Sequence, residues 1–414
     1  MDGAPATTRR PTDAASVRPA PGGSHKVCVV GSGPHFLSGI SYYTNKLVNE
    51  LGRRHRVSTI LMRTLLPKRL YPGRDRVGTE LTKFAYPDGS AVFDGVDWWW
   101  GRSIGRALRL LSAERPDFLV VQWWSGTVLH TYLVLAALAR LRGTRVVLEF
   151  HEVLDTAESA IPAARWYVGA LLPALLRMTD GFVVHTEFDR AALEQTYGLG
   201  DRPVALIPHG PYDQYGFAAE PADEVDSDPD RDPDGPFDLL YFGVIRPFKG
   251  VEDLIEAFDG LGPDEVENYR LTIVGETWEG CTEPAEMIAR SPHRDSIEFV
   301  NRYVSDEEVA GFFARADAVV LPYHRSSASG PLQLTMAEGL PVVVTAVGGL
   351  VEAVRGYEGA IPVPPRDPAS LRSAFAEARA LRGVRFADVH SWQRTLDGYG
   401  DLFESILAVP RRSR

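Results

Sequence analysis

Two cations stand three residues apart in the segment "YFGVIRPFKGVEDLIEAF", where Arg246 and Lys249 separate an apolar run from one with helical periodicity. Side-chain cations beside a helix N-terminus make an anion site, because backbone N–H groups and the helix dipole act in the same sense. The chain has 39 arginines and 5 lysines, and Lys249 is the only lysine after Lys83. A compact ammonium is therefore expected to matter at that position. A second stretch, "HRSSASGPLQLTMAEGLPVVVTAVGG" from His324 to Gly349, carries few charges. There Ser329 or Gly330 is placed to cap a helix with Pro331 in its first turn, running to Glu338. A turn built of Ser329, Gly330, Pro331 and Leu332 supplies hydroxyls and amides, and with Arg246 and Lys249 it would cradle a diphosphate. "SASGP" lacks the G-x-S-x-G of a nucleophile elbow.

The first half of the chain offers other groups at the ends of apolar runs: Gly31 with Gly33, Gln122 with Trp123, His151 with Glu152, His185, and His209 with Gly210. A single histidine is more often structural, but three at successive strand ends point to a cleft-facing site. "HEVLDTAE" is not the H-E-x-x-H zinc pattern, since Asp155 stands where the second histidine belongs. Asp226 and Asp228 form a D-x-D only within low-complexity sequence. Cys28 and Cys281 have no metal-ligand spacing, so no metal is expected. The tryptophans of "VDWWWG" and "QWW" are dense for one domain; Trp123 and Trp124 are candidates for stacking on an acceptor, with core packing as the alternative. Arg102, Arg106 and Arg109 share a helix face that reads as solvated, with contact to an anionic membrane as the less favoured reading.

The elements that must position these groups alternate. "KVCVVG", "RVSTIL", "DFLVVQ", "RVVLEF", "GFVVH" and "PVALIP" are short apolar runs of the kind buried on both faces of a parallel sheet. Helical segments over Ser38–Leu51 and Val128–Leu141 lie between them. After an acidic break the pattern restarts with "FDLLYFG", "RLTIVG", "SIEFV", "AVVLP" and "PVVVTA", with helices over Val251–Phe258 and Asp306–Arg315. The expected fold is α/β, two Rossmann-like doubly wound parallel sheets in tandem. Ligands of such sheets bind beyond the carboxyl ends of the strands.

At 414 residues and 44% hydrophobic content the chain can bury two cores. Its net charge of −11 argues against a duplex nucleic-acid binder. Much of the acidity sits in "AEPADEVDSDPDRDPD", Ala219–Asp234, whose eight carboxylates and one arginine read as a solvated linker. Residues 1–24 read as a disordered tail, 25–215 as the first domain, 216–236 as linker and 237–390 as the second domain. The tail lacks the apolar core of a secretory signal and no run reaches the length of a membrane span. A cytoplasmic protein without a transmembrane segment is expected.

Six segments taken in order resemble the GT-B glycosyltransferases of the family numbered four: "SGISYYTNKLVNEL", "EFHE", "VVHTEFDRAAL", "VALIPHGPYD", "FGVIRPFKGVEDLIEAF" and "MAEGLPVVVTAVGGLVEAV". The similarity runs from about Lys26 to Leu407. It implies a GT-B fold, a nucleoside-diphosphate sugar donor held mainly by the second domain, an unidentified acceptor on the first, and transfer with retention of configuration. It further implies that Arg246 and Lys249 contact the donor diphosphate, that the Gly39 loop approaches it, and that His151 lies near the transferred sugar. No cofactor or metal is implied, because fixed cations stabilise the leaving group. A helix over 391–408 crossing back to the first domain is also implied. Gly275, Glu276 and Gln333 are candidates for nucleotide contacts, and Trp123, Trp124, Glu152 and His209 for the acceptor. The family's two glutamates eight positions apart are replaced by Ser326 and Leu334. Leu334 accepts no hydrogen bond from a ribose diol, so that recognition is expected to move to Gln333, Glu338 lying too deep in the helix. Two other readings share this layout: a nucleotide-sugar 2-epimerase using Glu152 and Asp155, and a non-catalytic glycosyltransferase-like binding subunit.

Overall fold

A computed structural model describes residues 23–35, 39–65, 84–153, 161–212, 235–278 and 280–410. Two parallel sheets carry the chain. The first contains β1 (Lys26–Ser32), β2 (Arg56–Met62), β3 (Ala91–Val96), β4 (Phe118–Trp123), β5 (Arg145–Phe150), β6 (Gly181–Val184) and β7 (Val204–Leu206). The second contains β8 (Phe237–Phe242), β9 (Tyr269–Val274), β10 (Ile297–Val300), β11 (Ala318–Leu321), β12 (Val342–Thr345) and β13 (Ala360–Val363). Their orders are β3-β2-β1-β4-β5-β6-β7 and β10-β9-β8-β11-β12-β13. Both orders reverse direction once, at β1/β4 and at β8/β11. Chain leaving the two strands on either side of such a reversal diverges and opens a crevice.

Nine of the eleven strands read from apolar runs have a neighbour on both sides and are mostly buried, as β4 is along its whole length, while the other two, β7 and β10, are sheet edges and only partly buried. The runs missed β3 and β13, both sheet edges. "AVFDGV" is broken by Asp94 and Gly95 and half-exposed over its first four residues, and "AIPV" contains Pro362, which an edge strand tolerates because no partner needs its missing N–H.

Three apolar clusters form the cores, one in the second domain and one on each face of the first sheet. The helix Trp392–Ala408 belongs to the first domain's core through Trp392, Leu396, Tyr399, Leu402, Phe403 and Ile406. Phe403 stacks on Phe118 at 4.0 Å, and Trp392 Nε1 donates to the Pro211 carbonyl at 3.0 Å. Gly210 makes room for it, since a Cβ there would lie 2.3 Å from the indole of Trp392. The Ala219–Asp234 run, Asp226 and Asp228 included, lies outside the described residues, as do Asp155 and the first 22 residues.

Candidate functional site

The donor half is assembled at the second sheet's reversal. A Cβ on Gly243, just past β8, would sit 3.3 Å from Pro331 Cγ, so the chain leaving β8 passes beside the first turn of the helix Gly330–Ala337. Gly275 stands directly behind; its Cβ would meet the Gly243 carbonyl oxygen at 1.8 Å. The cation loop turns through Pro247–Lys249 and leaves by Gly250 at φ +64°. That glycine is required twice over, by the left-handed backbone and because a Cβ would lie 2.0 Å from the Pro322 carbonyl oxygen. His324 N donates to the Phe248 carbonyl at 2.9 Å. The loop is thereby clasped to the chain leaving β11.

Side chains complete the join. Lys249 Nζ lies 3.5 Å from the centroid of the Tyr323 ring, and the Tyr323 hydroxyl is 3.3 Å from Ser329 Oγ. Ser329 caps the helix, its Oγ accepting from Leu332 N at 3.2 Å. The Arg246 guanidinium stacks 4.9 Å over Trp278. Burial and the neighbouring Arg246 push the Lys249 ammonium down to about 7, with Glu152 opposing the shift. A cation held that far below its ordinary range signals a place built for a counter-charge. Glu276 accepts from Trp278 Nε1 at 2.8 Å, so that carboxylate also orients the indole under Arg246.

Three histidines from the ends of β5, β6 and β7 meet in the first domain. His185 Nδ1 donates to the Ile207 carbonyl at 2.8 Å, which leaves its Nε2 as an acceptor. His151 Nδ1 then donates to that Nε2 at 3.2 Å. The rings of His185 and His209 lie 3.8 Å apart by centroid. Burial holds His185 at about 4 and both His151 and His209 well below the usual imidazole range. All three are therefore neutral near pH 7. Beneath them Glu149, fully buried in β5, accepts from Tyr43 Oη at 2.6 Å and from Gln122 Nε2 at 3.4 Å. Its carboxylate oxygens are 3.7 Å from His185 Nε2 and 3.9 Å from His151 Nε2. Burial pushes this carboxyl up to about 7.

Glu149 and Tyr43 are absent from the residues expected to act, and His185 is read only as one of three histidines at strand ends. A signal was present, since a carboxylate within the apolar run "RVVLEF" has to be matched by partners supplied from elsewhere. Trp123 is corrected: at 3% exposure it packs against Tyr132 and Phe150 and presents no face to an acceptor. Trp124 is half-buried beside it. Trp98 and Trp100 are tied down by bonds from their indole N–H groups to the Thr127 carbonyl and Thr131 Oγ1, and only Trp99 stands exposed. Gly39 begins the helix Gly39–Gly52, its carbonyl accepting from Tyr212 Oη at 3.3 Å.

The two halves touch. Ser327 Oγ donates to Glu152 at 3.4 Å, and Tyr42 Oη donates to Asp306. Glu352 accepts from Glu187 N at 2.7 Å and Phe188 N at 2.8 Å, a carboxylate of the second domain placed on the N-terminus of the first domain's helix Glu187–Thr196. Glu152, which follows His151 in the chain, acts on the Lys249 ammonium electrostatically, favouring its charged form.

In the helix Gly330–Ala337, Leu334 points into the core at 4% exposure. Gln333, also 4% exposed, has no hydrogen-bond partner for Oε1 among the described residues. Ser326 Oγ is turned back onto the Ala328 carbonyl at 2.7 Å.

Residues 38–210 match the family described as glycosyl transferase 4-like domain, and residues 236–379 match that described as glycosyl transferases group 1. The chain belongs to the group 1 glycosyltransferases, of GT4 type. This group 1 transferase is 27% identical over 320 residues to a glycogen synthase of Mycobacterium tuberculosis, covering 73% of each chain. It is 30% identical over 235 residues to a D-inositol 3-phosphate glycosyltransferase of Pseudarthrobacter chlorophenolicus, covering 56% of this chain and 51% of that one. Among solved structures it resembles the catalytic domain of starch synthase IV from Arabidopsis thaliana, with TM-score 0.64, 13% identity and coverage of 94% and 100%. It also resembles HepE of Anabaena in complex with UDP and glucose, with TM-score 0.58, 15% identity and coverage of 93% and 95%. The fold is GT-B and the protein is a transferase enzyme. Among the described residues no helix is long and apolar enough to cross a membrane.

Proposed function

We propose that this enzyme transfers a sugar from a nucleoside-diphosphate sugar with retention of configuration, without a metal in the transfer step. Arg246, Lys249 and the N–H groups of the helix Gly330–Ala337 neutralise the leaving diphosphate. The observation that carries the reading is the contiguous path from Lys249 over Tyr323 to the cap residue Ser329. Two independent loops thereby present positive charge and amide donors to one place. Such preorganised donors act where charge develops, and removing one typically lowers the rate by about 10²–10³. HepE, of the same fold, is a complex with UDP and glucose, which makes uridine diphosphate the first donor nucleotide to try. His151 is assigned to the sugar side of the cleft, next to Glu152, and the acceptor to the first domain beyond it.

The reading is tested by following nucleoside diphosphate release from UDP-, GDP- and ADP-sugars in the absence of acceptor. Slow hydrolysis of one donor is expected. Binding of a nucleotide with no release from any donor would instead identify a non-catalytic binding subunit. Lys249→Ala should weaken a nucleoside diphosphate far more than the free nucleoside, and equal losses would refute the diphosphate assignment.

A further inference from the structure

We propose that His151, His185 and His209 form a binding site for a zinc-type divalent cation within the first domain. One ring nitrogen of each lies within 4.8 Å of the other two. The 3.2 Å between His151 Nδ1 and His185 Nε2 is close to the roughly 3.3 Å edge of a tetrahedron with 2.0–2.1 Å metal–nitrogen bonds. His209 supplies the second observation: at 8% exposure it is nine-tenths buried, and neither ring nitrogen has a hydrogen-bond partner among the described residues. A buried imidazole without partners is costly unless something else satisfies it.

The surroundings match what ligating histidines require. The bond from His185 Nδ1 to the Ile207 carbonyl fixes the tautomer that leaves Nε2 free to ligate. If His151 ligates through Nδ1, its proton moves to Nε2, which lies 3.9 Å from the carboxylate of Glu149. That is the carboxylate–histidine–metal arrangement that orients a ligand and raises its basicity. The 3.8 Å separation of the His185 and His209 rings is shorter than two rings on one ion adopt, so His209 must swing to bind. Three protein nitrogens leave a fourth position for water or an oxygen ligand. The sequence alone offers no metal signature here, because the ligands come from three different strand ends.

The ion is not assigned a part in transfer. It competes with it, because His151 is the residue placed on the sugar side of the cleft; this consequence, unlike the site itself, rests on the transferase reading.

The test titrates zinc into the untagged full chain against a chromogenic chelator, with cobalt as a spectroscopic probe. One zinc per chain is expected, with intense visible bands of four-coordinate cobalt. His209→Ala and the ring-preserving His209→Phe should each weaken zinc by more than about 100-fold, and Glu149→Gln by roughly 10–100-fold. Circular dichroism identifies variants that fold, and His209→Phe keeps the test open if the alanine variant does not. Absence of stoichiometric zinc binding, or unchanged affinity in a folded His209 variant, would overturn the site. Zinc that binds at the site without slowing donor hydrolysis would keep the site and remove His151 from the transfer reaction.

Discussion

Lys249 permits a quantitative test of the diphosphate site, because its ammonium is held at about 7 by burial and by Arg246. At pH 8 a group with that pKa is only about one-tenth protonated. A diphosphate brought beside it supplies the missing counter-charge and returns the group toward its ordinary value near 10.5. Binding of a nucleoside diphosphate at pH 8 should then take up about 0.9 proton per site. Above pH 7 the affinity should fall about tenfold, or about 1.4 kcal/mol, for each pH unit. Isothermal titration of UDP at pH 8 in Tris and in HEPES, whose ionisation enthalpies differ, measures the uptake directly. Lys249→Arg is the control, since a guanidinium stays charged and should bind with no proton exchange at that position. Zero uptake in the native protein, or equal uptake in Lys249→Arg, refutes the reasoning. The same shift has a sign in the absence of nucleotide: between pH 7 and 10.5 the unfolded chain binds more protons than the folded one at Lys249. That residue's contribution to stability therefore rises with pH across this window.

Further outcomes are expected. Gly250→Ala puts a Cβ 2.0 Å from the Pro322 carbonyl at φ +64°, so it should destabilise by at least about 1–3 kcal/mol and weaken UDP together with it; a thermal shift assay showing no loss of Tm would contradict the clasped loop. Gln333→Leu removes a buried amide oxygen that lacks a partner and should leave Tm unchanged or slightly raised while weakening uridine binding. Unaltered uridine affinity would take Gln333 out of the nucleotide site. Glu352→Ala removes the carboxylate from the N-terminus of the helix Glu187–Thr196, a contact of about 0.3–2 kcal/mol. Small-angle scattering should show a larger mean radius of gyration, and an identical profile would mean the two domains are held together elsewhere.

Local sequence determined the repeating unit of this protein. Apolar runs of four to seven residues bounded by glycine or polar loops have one economical solution, a strand buried on both faces, and the central strands formed where they were read. The edge strands β3 and β13 were harder because an edge strand has one open side and tolerates Asp94, Gly95 or Pro362. The cation loop was also legible, since strand, Arg246, Lys249 and helix are consecutive. The capping turn at Ser329 was legible as well, since a cap needs only its own next three residues.

What faces what was decided by the tertiary structure. Trp123 and Trp124 are adjacent, alike in type and packed on the same apolar cluster, yet one is core and the other half-buried, because Trp123 is the last residue of the buried strand β4 and Trp124 lies beyond it. Leu334 and Gln333 likewise differ only by a rotation about one helix. The three histidines occupy separate strand ends in the chain and become neighbours only because β5, β6 and β7 lie side by side. Glu149 gains meaning only from Tyr43 and Gln122, which other elements carry to it. Periodicity and capping depend on residues a few positions apart, whereas a site depends on which strand lies next to which, and strand order is a property of the folded whole.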